Sequence, residues 1–514
     1  MKREEIFSFS AFELARKIRE KQIRAQEAVE AVFQNIDEHE SNIHAYISLD
    51  REAAMNEARH CDELVQKGGE LPPLLGVPMA VKDNLLLKGR KATCGSRMLE
   101  NYIPPFTATC VQKLQDAGAI LIGKTNMDEF GMGISTEHSF FGPTRNPLDP
   151  ARVPGGSSGG SAASVSGNMA FVALGTDTGG SVRQPAAYCG LVGLRPTYGT
   201  VSRHGLVAFA SSMDIAGPLT RGTRDAAGIC NIVTGVDPKD QTSISGPKID
   251  ISSLEKATFK GMRIGIPREL SGESESRDGF SLAISEEVKA SLEDAVRILE
   301  EEGAQVEFFD MPILSYAVEM YYILSSAEAS SNLSRFDGIR YGYRDPDAKD
   351  LASLYTGTRS TGFGLEVKRR ILMGNYVLST EHFDDCYRRA ESARKKLCRS
   401  FDEAFSKYDV LLSPTAPQVA PLLGESGKDA LQNYISDLFT VPASLAGIPA
   451  VSVPFGKTSL PVGLQFTGPR FGEQAILTAA RFLEIRQEER KRSEGRDGKC
   501  MNLKPSWDWK SMWN

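Results

Sequence analysis

The chain has 514 residues, 41% hydrophobic and 25% charged, with a net charge of −6; this is an ordinary globular composition, long enough for a sizeable core and, on length alone, for two to four domains. No apolar run reaches the roughly 18 residues of a membrane span, the opening MKREEIFSFS lacks the apolar region of a secretory leader, and the mild acidity carries no general nucleic-acid footprint. The cysteines at 61, 94, 110, 189, 230, 386, 398 and 500 form no C-x-x-C pair, which argues against a zinc centre or disulfide framework and fits reduced thiols in a cytoplasmic protein.

Residues 10–66 read as helical. Ser10 is a candidate N-cap for FELARKIREKQ, apolar residues recur at helical spacing through AQEAVEAVFQNI, and REAAMNEARHCDELVQKG ends at Gly68. This predicts a helical arm over 1–68, ahead of a core over 69–490. From Leu71 a proline-bounded strand follows, in which Val77, Met79 and Val81 alternate and Lys82 closes the run. A lysine ending an apolar strand is either buried for a purpose or a surface residue whose stem reaches back to water. The helix TATCVQKLQDAG and the strand AILIGKTN continue an α-then-β rhythm. The stretch MDEFGMGISTEHSFFGPTRNPLDPARVPGG has little periodicity, and a loop that long in a compact domain is usually functional.

The serine-rich segment from Gly155 to Pro185 comes next. Its first cluster is Gly155, Gly156, Ser157, Ser158, Gly159, Gly160 and Ser161; its second is Thr178, Gly179, Gly180 and Ser181. Phe171 to Gly175, between them, reads as a short buried strand. Glycines so dense suit either two flexible turns or a place where backbone approaches a reacting group. Beyond it, LVGLRPTYG and VSRHGLVAFASSMDIAGPLTR lead to the helix TRDAAGICNIVTG. Residues 236–258 read as a polar surface connection, and MRIGIPREL as a strand followed by the hydrophilic GESESRDG. A helix (ISEEVKASLEDAVRILEEEG) and a strand (AQVEFFDM) precede a mostly helical region over 314–400 that carries the basic VKRR at 367–370. Strands return at DVLLSPTAP, AVSVPFG and PVGLQFTG. Residues 491–514 are a charged, tryptophan-bearing tail expected to be partly disordered.

Three chemistries compete for the serine segment. A phosphate-cradling loop needs G-x-x-x-x-G-K-[ST], but Ser161 and Ala162 follow Gly160. Gly156, Ser158 and Gly160 match the G-x-S-x-G of a nucleophile elbow literally. That motif needs a preceding strand and a later histidine; PLDPARVPGG cannot form a central strand, and only His204 and His382 follow. The third is a Ser-Ser-Lys arrangement. Serine at its own pKa is a poor nucleophile and needs a base. Lys82 can serve if desolvation makes it neutral, with Ser157 passing a proton to it from Ser181. N–H groups from Thr178 to Ser181 would form an oxyanion hole, worth roughly 3–4 kcal/mol per donor.

Lys82, the GGSSGGS run and the TDTGGSVRQPAA run resemble the amidase signature family, and the separations match that family's triads: 181 − 157 = 24 and 181 − 82 = 99. NMDEFGMGISTEHSFFGPTRNP, RPTYGTVSRHGLVAFASSMDIAGPLT and SSAEASSNLSRFDGIRYGYR resemble, within it, the glutamine-hydrolysing A subunits of tRNA-dependent amidotransferases, over roughly residues 5–485. His138 departs from the asparagine of many relatives, and the tail has no counterpart. The resemblance implies an α/β fold: one large domain with a central mixed β-sheet of about eleven strands covered by helices on both faces. It implies Ser181 as nucleophile, Ser157 as bridge after a cis peptide, and Lys82 as base, with Tyr321, Arg370 and Asp437 holding glutamine. Without the resemblance, Arg370 and Asp437 read as surface helix charges. It implies no cofactor and no metal on this chain, ATP and Mg on a partner B subunit, and a small C subunit that wraps this chain in a heterotrimer. Charged tRNA would bind mainly through the B subunit, and the released ammonia would convert Glu-tRNA(Gln) to Gln-tRNA(Gln), or Asp-tRNA(Asn) to Asn-tRNA(Asn), tRNA choice resting with that partner. Two readings of other classes compete: a stand-alone amidase for small aryl or aliphatic amides, and a non-catalytic scaffold, against which the intact triad speaks.

Overall fold

The computed structural model describes residues 2–255, 259–272, 284–425 and 435–493, with 491–493 described by backbone alone. The GESESRDG excursion beyond Gly272 and most of the expected tail lie outside these residues. Eleven strands form one mixed sheet: β1 (Tyr46–Leu49), β2 (Pro78–Lys82), β3 (Ile120–Thr125), β4 (Val172–Asp177), β5 (Val192–Arg195), β6 (Ile215–Thr220), β7 (Arg263–Pro267), β8 (Gln305–Phe309), β9 (Val410–Pro414), β10 (Ala450–Pro454) and β11 (Gly463–Thr467). Their order is β1-β3-β2-β4-β6-β5-β10-β11-β9-β7-β8. β2 pairs in parallel with β3 and β4, as β7 does with β8 and β9, and the remaining pairings are antiparallel.

Every residue of β2, β4, β6 and β11 is buried, as expected of central strands covered on both faces, which read as continuous apolar or small runs rather than alternating ones. One core, with Leu14, Val29, Phe33, Val81, Phe171 and Leu174, joins the N-terminal helices to β2 and β4. A second, with Ile264, Leu292, Leu412, Phe466 and Ile476, lies under the helices Glu286–Glu301 and Glu473–Ser493. A third gathers Phe130, Met132, Phe209, Tyr321, Val367 and Phe439 around the helices Ala317–Leu333 and Leu365–Leu378.

Ser10 caps the helix Ala11–Arg19 through a reciprocal capping box with Glu13, and Gly68 ends the helix Arg51–Lys67. The expected helical arm is interrupted, however. The helix Ala25–Ile43 stops at His44, whose φ of 60° is left-handed, and β1 then pairs antiparallel with β3. The arm is thus sewn into the sheet edge. Four residues are too few for a period-2 signal to stand out between two helices, and tertiary pairing decides their conformation. Within the described part of the expected surface connection, 236–255, Asp237 is anchored inward. Asp237 is 6% exposed, and its carboxylate accepts from the Thr109 and Ser202 hydroxyls at 2.5 and 2.6 Å.

Candidate active site

The parallel pairing of β2 with β4 sets Lys82 and Asp177 at the carboxyl ends of adjacent strands, the edge where open α/β sheets gather their ligands. Lys82 is fully buried. Its Nζ donates to Ser157 Oγ at 2.8 Å, to Ser158 Oγ at 2.8 Å and to Thr176 Oγ1 at 2.9 Å. Burial lowers its pKa to about 7, against the opposing pull of the Asp128, Asp177 and Asp214 charges. A surface lysine is therefore not what the sheet presents.

The Gly156–Ser157 peptide is cis. Gly156 must be glycine because a Cβ there would strike the Asp128 carboxylate and the Ser135 backbone. Asp128 is buried and accepts from the N–H groups of Thr136 and His138 at 2.9 and 3.1 Å. His138 contributes its backbone N–H here, and its carbonyl accepts from the Glu129 N–H. Any residue but proline can make both contacts, so the departure at 138 leaves this cage intact.

The second cluster is held by charges that sequence reasoning missed. Asp177 is buried between Arg183 and Arg195, with ion pairs of 3.0 and 2.9 Å. Burial opposes its charge, but the two guanidiniums hold its carboxyl well below the usual carboxylate range. It accepts from the Gly180 N–H at 3.0 Å and the Val182 N–H at 3.3 Å. Arg183 continues to the Thr440 carbonyl, and the Thr440 hydroxyl donates to the Gly179 carbonyl at 2.6 Å. Gly180, at a φ of 132°, leaves no room for a Cβ beside Thr440. The clamp thus fixes the loop from Thr178 to Ser181. It also engages the Gly180 N–H, one of the four backbone donors expected at the site, in a bond to Asp177. TDTGGSVR contains both Asp177 and Arg183, but nothing in its pattern says that they pair.

Ser181 lines a narrow cleft, partly open to solvent, together with Gly156, Gly179, Gly180, Tyr321, Arg370 and Asp437. Ser157 borders the same wall, its hydroxyl 3.7 Å from where a Cβ on Gly131 would stand. All the residues expected at the site therefore meet in one region. Arg370 and Asp437 are 6% and 7% exposed, which overturns their reading as surface charges. Arg370 Nε donates to Glu366 Oε1 at 2.7 Å, while its Nη1 is buried and has no partner among the described residues. A buried guanidinium donor without a protein partner at a cleft wall is chemically able to take an anionic group. Asp437 is pushed up to about 6 by burial, against the pull of Arg370 and of the Tyr322 hydroxyl. Among the described residues no group of His, Cys, Asp and Glu forms a metal-binding cluster, and no helix is long and apolar enough to cross a membrane.

Residues 27–477 match the amidase family. The chain is 49% identical over 473 residues to the A subunit of glutamyl-tRNA(Gln) amidotransferase from Desulforudis audaxviator, covering 92% of this chain and 94% of the relative. It is 48% identical over 476 residues to the protein of the same name from Lachnospira eligens, with 92% and 97% covered. The crystal structure of the glutamyl-tRNA(Gln) amidotransferase A subunit from Thermotoga maritima superposes with a TM-score of 0.73 at 40% identity, over 93% of each chain. A bacterial aryl acylamidase of the amidase signature enzymes superposes with a TM-score of 0.80 at 25% identity, over 93% and 96%.

Proposed function

Because the chain belongs to the amidase family, we propose that it is the glutaminase subunit of a tRNA-dependent amidotransferase. The observation that carries this reading is the buried, unpaired Nη1 of Arg370 beside Asp437 in the cleft that Ser181 lines. Free glutamine presents an α-carboxylate and an α-ammonium at one end and an amide at the other. Arg370 meets the carboxylate, Asp437 the ammonium, and Tyr321 closes the wall beside Gly179.

Ser157 takes the proton of Ser181 and passes its own to the neutral Lys82, and the Ser181 oxygen attacks the side-chain amide carbon. N–H groups of the Thr178–Ser181 loop hold the oxyanion. The relay then returns a proton to the amide nitrogen, and ammonia leaves. Water, deprotonated through the same relay, releases glutamate from the ester. Ammonia would pass to a partner B subunit, on which ATP and Mg would supply the activation of the γ-carboxylate of glutamate on tRNA(Gln), and a C subunit would bridge the two. An aryl amidase would share the triad but has no use for a charge pair in the cleft.

The test compares glutamine with analogues that differ only at the α-carbon, using the assembled enzyme. Arg370→Ala is expected to raise KM for glutamine about 10- to 150-fold, the loss of a charge-assisted hydrogen bond of roughly 1.5–3 kcal/mol. It should also abolish the preference over 4-aminobutanamide, which lacks the carboxylate. Full retention of that preference would return Arg370 to a structural role. The division of labour has its own test. This chain alone, given ammonia, ATP and Glu-tRNA(Gln), is expected to form no Gln-tRNA(Gln), and adding the two partner subunits should restore the reaction. Amidation by the single chain would refute the assignment of ATP chemistry to a partner.

A further inference from the structure

Tyr322 follows the cleft-lining Tyr321 on the helix Ala317–Leu333 and stands behind the cleft wall. Its hydroxyl donates to Asp437 Oδ2 at 2.9 Å, and the Arg370 guanidinium lies over its ring, 4.2 Å from the centroid. One side chain therefore touches both groups assigned to glutamine's charged ends, one through its oxygen and one through its π face. The two contacts constrain different things. The ring against the guanidinium restrains where it sits; Nε is tied to Glu366, and the buried Nη1 has no partner among the described residues. The phenol bond fixes the carboxylate of Asp437, engaging one of its oxygens. Tyr321 stands edge-on against the same ring at 5.7 Å and 88°, so the cleft-lining tyrosine is buttressed too.

From these contacts, and resting on the glutamine reading above, we infer that Tyr322 is a positioning residue that sets recognition of the substrate's α-carbon by orienting Asp437 toward the ammonium and Arg370 toward the carboxylate. The sequence hides this role: YY in EMYYILSS offers two adjacent tyrosines, and only the fold tells which lines the cleft and which stands behind it.

The hydroxyl also bears on charge. Asp437 is faced by Arg370 and Glu366 from the helix Leu365–Leu378, by Tyr321 and Tyr322 from the helix Ala317–Leu333, and by Tyr188. The Tyr322 bond favours its ionised form. Removing it moves protonation of Asp437 to higher pH, so the acid-side rise in KM for glutamine should begin at higher pH as well.

The experiment uses the assembled enzyme with Tyr322→Phe, Tyr322→Leu, Asp437→Asn and the double variant Tyr322→Phe/Asp437→Asn. Substrates are glutamine, glutaramic acid (no amine) and 4-aminobutanamide (no carboxylate). Tyr322→Phe keeps the ring and is expected to raise KM for glutamine about 10-fold. It should leave kcat within about twofold and glutaramic acid hardly affected. The double variant should be no worse than Asp437→Asn, because the two changes remove one coupled interaction. Tyr322→Leu should in addition lose preference over 4-aminobutanamide. If Asp437→Asn narrows the gap between glutamine and glutaramic acid while Tyr322→Phe does not, or if the two effects add, the positioning role is overturned and the glutamine pocket stands. Equal loss toward all three substrates would likewise overturn it in favour of a purely structural tyrosine. If Asp437→Asn itself leaves the gap unchanged, the pocket assignment falls and this inference with it.

Discussion

Ser181→Ala is expected to lower kcat for glutamine hydrolysis by at least about a thousandfold, the scale at which loss of an activated nucleophile is felt, while leaving the fold in place. Ser181 sits at the cleft rather than in the packed core, 9% exposed, and the loop around it is fixed by Asp177, Arg183 and Thr440 rather than by its hydroxyl. The competing nucleophile is Ser158, one residue from the bridge. Its hydroxyl accepts from Lys82 and donates to the Thr176 carbonyl at 3.2 Å, so it is held inside the sheet edge with no free path to a substrate. A glutamine-derived diazoketone should therefore label Ser181, read by peptide mass spectrometry, and the label should vanish in Ser181→Ala. Ser158→Ala should cost far less than Ser181→Ala and leave labelling intact. Covalent capture at Ser158, or at any cysteine, would sink the relay.

Lys82, Ser157 and Ser181 were readable because each element is locally odd: a lysine ending an apolar strand, and two glycine–serine runs where glycine has no packing use. Their separations match those of the resembled family. Arg370 and Asp437 were not readable from pattern at all. VKRR looks like a solvated face, and Arg370 is buried where its helix Leu365–Leu378 packs against the helix Ala317–Leu333. Resemblance supplied those two residues, and their burial with an unpaired Nη1 gives them a physical reason. The Asp177–Arg183–Arg195 clamp was invisible for another cause. Arg195 ends β5, which reaches Asp177 only because β6 lies between β5 and β4 in the sheet, and strand order is set by crossovers that no local spacing records. β1 failed for want of length. What the sequence expressed best was chemistry confined to short loops; what it concealed was whatever the sheet brings together from afar.

Lys82 carries the second large expectation. Lys82→Ala should be about as severe as loss of the nucleophile, and Lys82→Arg should not rescue it, since a guanidinium keeps its proton at any working pH. In the wild type, kcat/KM for glutamine should rise about tenfold per pH unit from about pH 6, below which protonation of Asp437 adds its own loss, to about pH 7, where burial has brought the lysine, and level off above it. Stability gives an independent reading of the same proton. The folded lysine loses its charge near pH 7, whereas the unfolded one keeps it to about 10.5. Across that window the unfolded chain binds the extra proton, so this group makes stability increase with pH. Below pH 7 both states are charged, and the burial of an ammonium weighs on the fold in full. The stability of wild type minus that of Lys82→Met, from denaturant midpoints, should therefore climb between pH 7 and 10.5 and be flat below. A difference that stays flat throughout would mean that Lys82 remains an ammonium held by three hydroxyls. A lysine in that state could orient Ser157 but could take no proton from it, and the base would have to be sought elsewhere.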